Sequence, residues 1–144
     1  MTDNHILQAA MQRFLKSIES ETAEEFLELL LHLMQLVFAF DHGYRKNIEG
    51  FNASYCFRSR DKGITVSVAF ADGEMEVREE EAASSNITVN FMDGRALMGF
   101  LLTPKPDILG SMLRQEVQLD GNLNYLYKFA FMAKRLQLMA MGQA

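Results

Sequence analysis

Catalytic and metal sites are assembled from a few side-chain types at fixed spacings, and this chain carries few such constellations. Its three histidines are His5, His32 and His42. A zinc hydrolase site of the HExxH kind needs two imidazoles four residues apart on one helix face, with a glutamate between them as base. No two of the three histidines have that spacing. Asp41-His42 supplies the acid and imidazole of a nucleophilic triad, but no GxSxG elbow follows to present a serine. His32 therefore reads as a structural histidine on the polar stripe of a helix. Cys56 is the single cysteine. One thiol excludes an internal disulfide and a thiolate zinc framework. Cys56 falls on the polar side of a strand with no histidine near it in sequence, so it reads as a small residue exposed there. The run Glu79-Glu80-Glu81 reads as a solvated loop. The glycines occur singly and form no phosphate-binding loop. The sequence thus predicts no catalytic residue, no metal and no cofactor.

The whole chain is small and acidic. It has 144 residues, 14 Lys plus Arg against 19 Asp plus Glu, and a net charge of −5. That length suits one domain with a real core. The charge speaks against nucleic acid as a partner, because phosphate binding needs a basic face. The first residues lack the positive and apolar regions of a secretory leader, and the last carry no lipidation motif. No apolar run reaches the ~18 residues that span a bilayer. Together these features predict a cytoplasmic domain.

The elements follow from periodicity. Ile6, Leu7, Ala10, Met11, Phe14, Leu15 and Ile18 have helical spacing, with Asp3 as the expected N-cap. Thr22 and Glu25 have capping-box spacing and open a second helix over 23–40. That helix is apolar nearly all round. Its polar residues Glu28, His32 and Gln35 form one narrow stripe, so something must cover it on most sides. Strict alternation then marks strands over 51–58, 64–71, 74–78 and 87–91, with a hairpin at Asp72-Gly73. Asp93 caps a helix through Leu102, and Pro104-Lys105-Pro106 breaks the chain. A short helix at 107–114, a strand at Val117 and Leu119, and a helix from Asn122 to about Met139 complete the order. Each strand has one apolar and one polar face. The class is therefore two-layer α+β, with a five-stranded, mainly antiparallel sheet that is wet on one side and helix-covered on the other.

The later helices hold more apolar surface than one sheet face can cover. Ala96 through Leu102 is an unbroken apolar run, and the last helix has a bulky face of Tyr125, Phe129, Met132, Leu136 and Met139. Methionine occurs 10 times, and flexible thioethers suit surfaces that adapt to varied apolar shapes. A surplus of this kind encloses a cavity or faces a partner.

The segments Ile87-Thr88-Val89-Asn90-Phe91, Ala96-Leu97-Met98-Gly99-Phe100-Leu101, and Val117-Gln118-Leu119-Asp120-Gly121-Asn122 leading into Leu123-Asn124-Tyr125-Leu126 occur in an informative order. Over about 48–140 the chain resembles the sterol-binding domain family of sterol carrier proteins. It departs from that family at Arg114-Gln115, where many members carry Gly-Lys, and at the Pro104-Lys105-Pro106 break. The resemblance implies a helix-covered sheet with an apolar tunnel, a lipid ligand and no shared catalytic residues. The expected ligand is an acyl, isoprenoid or sterol-like chain, held by a carrier or lipid presenter. The expected lining is Phe100, Leu101, Leu109, Met112, Leu113, Phe129 and Met132. A second reading treats the chain as an interaction module. In it, Phe26, Leu30, Leu33 and Val37 of the apolar helix 23–40 meet a second copy or another protein.

Overall fold

A computed structural model describes residues 2–20, 22–61, 63–81, 84–102 and 107–142, and the side chains of these except 2–4 and 17–20. The Pro104-Lys105-Pro106 break lies outside the described residues. Helix α1 spans Thr2–Ser20 and α2 spans Ala23–Phe40. Because α1 already includes Thr2, Asp3 sits inside its first turn and does not cap it. The Thr22 cap of α2 forms as expected: its hydroxyl accepts the Glu25 amide at 3.3 Å. A short α3, His42–Arg45, and a 3-10 turn, Lys46–Ile48, follow. Neither is legible in the periodicity, since each is too short to show one. Asp41 holds this corner, its carboxylate accepting the Tyr44 amide at 2.9 Å. Arg45 donates from Nε and Nη2 to the carbonyls of Phe38 and Ala39, satisfying the C-terminal end of α2.

The strands are β1 Ala53–Ser59, β2 Thr65–Ala71, β3 Glu74–Arg78, β4 Ile87–Phe91 and β5 Val117–Gly121. They form one sheet in the order β3-β2-β1-β4-β5. All neighbouring pairs are antiparallel except β1 with β4, which run parallel. At the β2–β3 turn Asp72 and Gly73 both adopt positive φ, 56° and 74°. That backbone matches the twist of a two-residue hairpin. At the far edge Gly121 has φ 130°, and a Cβ there would lie 2.3 Å from the Asn86 carbonyl oxygen. Glycine is thus what lets β5 close against β4.

Register places Tyr55, Phe57, Val66, Val68, Phe70, Ile87, Val89, Phe91 and Val117 on one face, all buried. Helices α2, α4 (Gly94–Leu102) and α6 (Leu123–Ala140) lie in the helix layer, joined by α1, whose Phe14 ring packs 5.4 Å from Phe26. Helix α5, Ile108–Leu113, stands beside β5.

The second face is drier than alternation implied. To reach β4 from the edge strand β3, the chain must pass β2 and β1. Helices occupy the apolar side, so residues 79–81 and 84–86 run over the polar side. The Ser67 hydroxyl donates to the Glu80 carbonyl, Arg58 pairs with Glu81, and the Ser54 amide donates to Asn86 Oδ1. This crossing covers Cys56, which is only 2% exposed. The expectation of a solvent-facing thiol is corrected accordingly.

Candidate functional site

A gap opens where α4 (Gly94–Leu102) and α5 meet the ends of β4 and β5. It is a cleft of about 510 Å³. Its floor is apolar, built from Phe91, Phe100 and Val117, with the Phe91 and Phe100 rings 5.9 Å apart. Its rim is polar. Asp93 and Asp107 sit there because each caps a helix, accepting the amides of Ala96 and Gly110. Ser111, Arg114 and Glu116 complete the rim, with the Arg114 and Glu116 side chains paired. Arg95 also lines it.

The cover of this cleft, α5, is short and lightly held. Ile108 is its one side chain buried in the core among the described residues. A Schellman turn ends it: the Glu116 amide donates to the Ser111 carbonyl and the Gln115 amide to that of Met112. Gln115 is the left-handed residue this motif demands, at φ 62°. The turn falls at the Arg114-Gln115 pair. Leu109, Met112 and Leu113 face solvent at 59%, 37% and 85% exposure.

The seven expected lining residues do not converge on one cavity. Phe100 lines the cleft, and Leu101 is buried beside it on α4. Leu109, Met112 and Leu113 form the outer side of α5. Phe129 and Met132 of α6 are completely buried. The Phe129 ring lies 4.8 Å from Phe57 and 5.6 Å from Tyr55, so side chains fill the space between α6 and the sheet. Two phenols fix that packing: Tyr55 donates to the Tyr125 carbonyl at 2.8 Å, and Tyr44 to that of Met132 at 2.9 Å. Burial pushes both phenols well above the ordinary tyrosine range, so they stay protonated as donors. Sequence reading placed Asp93 as a cap and Asp107 at the start of the short helix but assigned neither to a site; the fold brings them together on one rim.

The four residues expected to meet a partner are also inside. Phe26, Leu30, Leu33 and Val37 are buried by this chain's own elements. The outward face of α2 is not theirs, and a partner bound through them is not favoured. Two residues of the polar stripe of α2, Glu28 and Gln35, meet β3 and the loop after it, while His32 is exposed beside α1. Gln35 donates to the Met75 carbonyl at 3.0 Å. Partial burial, a hydrogen bond with Glu79, and repulsion from Glu79, Glu24 and Glu25 push the Glu28 carboxyl up to about 7.

Among the described residues no group of three or more His, Cys, Asp or Glu could hold a metal ion. No described helix is long and apolar enough to cross a membrane.

The arrangement is shared with solved structures. A sterol carrier protein domain 2 of Helicoverpa armigera matches 79% of the chain and 88% of its own length, at TM-score 0.55 and 10% identity. A UbiJ-SCP2 ubiquinone synthesis protein matches 75% of the chain and 95% of its own length, at TM-score 0.54 and 14% identity. The chain has the sterol carrier protein 2 fold. An inverting sec-alkylsulfatase of Pseudomonas sp. contains the same fold as one part: 72% of the chain matches 16% of that enzyme, at TM-score 0.58 and 16% identity. The chain therefore corresponds to a small portion of that enzyme. No family model and no curated protein matches the sequence. In this sterol-carrier-like domain the ends of β4 and β5 frame the α4–α5 cleft.

Proposed function

We propose that this protein is a non-catalytic lipid-binding domain, a carrier or presenter of an acyl, isoprenoid or sterol-like chain. The observation that carries the reading is the pairing of an apolar-floored cleft with a lightly anchored helix whose leucines and methionine have no apolar cover. A cleft of about 510 Å³ falls within the roughly 300–1,000 Å³ of small-molecule sites. Phe91, Phe100 and Val117 give the chain an apolar floor to lie on. Turning α5 inward brings Leu109, Met112 and Leu113 onto the ligand and removes them from water. Neighbours with this fold include a sterol carrier domain and a ubiquinone synthesis protein, and sterols and ubiquinone are both large apolar molecules.

The driving force is loss of apolar surface to water, about 0.8 kcal/mol for each buried methylene. Affinity therefore rises about fourfold for each carbon added to a saturated chain until the cleft is full. Native mass spectrometry of the protein as purified from cells, followed by lipid extraction, tests the reading. A bound apolar molecule near one per chain is the expected result. An empty protein that also takes up no fluorescent fatty acid or isoprenoid alcohol would overturn it.

A further inference from the structure

An apolar floor holds a chain but does not choose its head group. In the α4–α5 cleft that choice falls to the rim. Among the described residues five charged side chains line it: Asp93, Asp107 and Glu116 against Arg95 and Arg114. Glu116 and Arg114 are paired and neutralise each other. No ion pair among the described residues engages Asp93, Asp107 or Arg95. The two aspartates each give one oxygen, Oδ1, to a helix amide, at 2.9 Å and 3.0 Å. Their second oxygens accept no hydrogen bond among the described residues. Beside the apolar floor the rim therefore offers two carboxylate acceptors and one guanidinium donor, and its charge is negative on balance.

We infer that the cleft selects a lipid with an uncharged hydroxyl head group over one ending in a carboxylate or an ionised phosphate, and that Asp93 and Asp107 make the selection. This rests on the chain-binding reading of the cleft and names the class of chain it takes. A hydroxyl both donates and accepts, so it can serve an aspartate and Arg95 at once. A carboxylate has only acceptors. It gains Arg95 and is repelled by two like charges. An ammonium suits the aspartates, but it is repelled by Arg95 and has no lone pair to offer it.

Displacement of the uncharged dye Nile red by 1-dodecanol and by dodecanoate, at pH 7.5 and low ionic strength, reads this preference. The two ligands share one chain length, so the apolar contribution is matched. The alcohol should bind about tenfold more tightly. Added salt should strengthen dodecanoate relative to dodecanol, because screening weakens repulsion; a rim that attracts anions gives the opposite sign. Asp93→Asn with Asp107→Asn removes both charges and keeps both caps, since asparagine caps a helix as well as aspartate does. In that variant the preference for the alcohol should shrink several-fold and the salt effect should disappear, with thermal melting close to the parent's. The salt comparison uses the parent protein and so does not depend on how the variant folds. Equal affinities, dodecanoate that weakens in salt, or a folded variant with the parent's preference would each overturn the selection and leave the cleft as the chain site. Displacement by neither ligand would overturn the cleft reading and the selection together.

Discussion

Helix α6 buries Leu126, Phe129, Met132 and Leu136 and is tied to β1 and α3 by two tyrosine hydroxyls. Helix α5 buries Ile108 and leaves Leu109, Met112 and Leu113 in water. Both segments are rich in the same apolar residue types. The difference is length and position. Eighteen residues can lay several turns across a sheet, while six residues at its edge have one turn to offer. Apolar composition alone does not tell a packed helix from one left partly in water. What tells them apart is how much of the apolar face the rest of the fold covers.

Truncation in the two helices should separate these roles most sharply. Phe129→Ala empties a ring-sized space beside Tyr55 and Phe57 and should cost about 3–5 kcal/mol in urea unfolding. A cost below about 1 kcal/mol would mean that α6 is not the packed partner described. Tyr55→Phe keeps the ring and leaves the Tyr125 carbonyl without its donor. Its expected cost is about 1–2 kcal/mol, and a neutral result would show that water replaces the phenol. On α5, Gln115→Gly relieves a left-handed residue at the Schellman turn. It should stabilise the protein by about 0.5–1 kcal/mol and raise Tm by a few degrees.

Titration sharpens the contrast on α2. The folded-state value of Glu28, about 7, lies above its ordinary 4.5, so the folded protein holds this proton more tightly. Its contribution is complete below about pH 4.5 and is lost as pH rises through about 7. Unfolding of the Glu28→Gln variant should therefore show a flatter stability profile than the parent across that window. The smallest stability effect belongs to Leu113→Ser, within about 0.5 kcal/mol, because the side chain already stands in solvent. That same change should weaken uptake of a fluorescent acyl chain several-fold. Unchanged uptake would detach α5 from the ligand.

Much of the architecture was legible in the residues. Strict alternation marks β4 at Ile87–Phe91, and caps at Thr22, Asp93 and Asn122 set the starts of α2, α4 and α6, while Asp107, expected inside the first turn of α5, is its cap. These are local effects, fixed by side chains within a few residues of the backbone groups they serve. The partnering of those elements was less legible. Alternation identifies a strand's two faces but not its neighbours, so the parallel β1–β4 pair and the crossing that covers Cys56 were not foreseen. The apolar run of α2 shows in sequence that something must cover it, and the second reading gave that role to a partner. In the structure α1, α4, α6 and β3 surround it, because a helix cannot announce which of several layers will cover it.

The candidate site divides the same way. The sequence by itself determined that Phe100, Leu101, Leu109, Met112, Leu113, Phe129 and Met132 are apolar, lie on helices and exceed what one sheet face needs. Tertiary structure alone decided that Phe129 and Met132 close the core, that Phe100 floors a cleft, and that Leu109, Met112 and Leu113 remain outside. Local propensity is written in nearest neighbours along the chain. Burial is set by contacts between residues far apart in sequence, and only the folded arrangement brings those together.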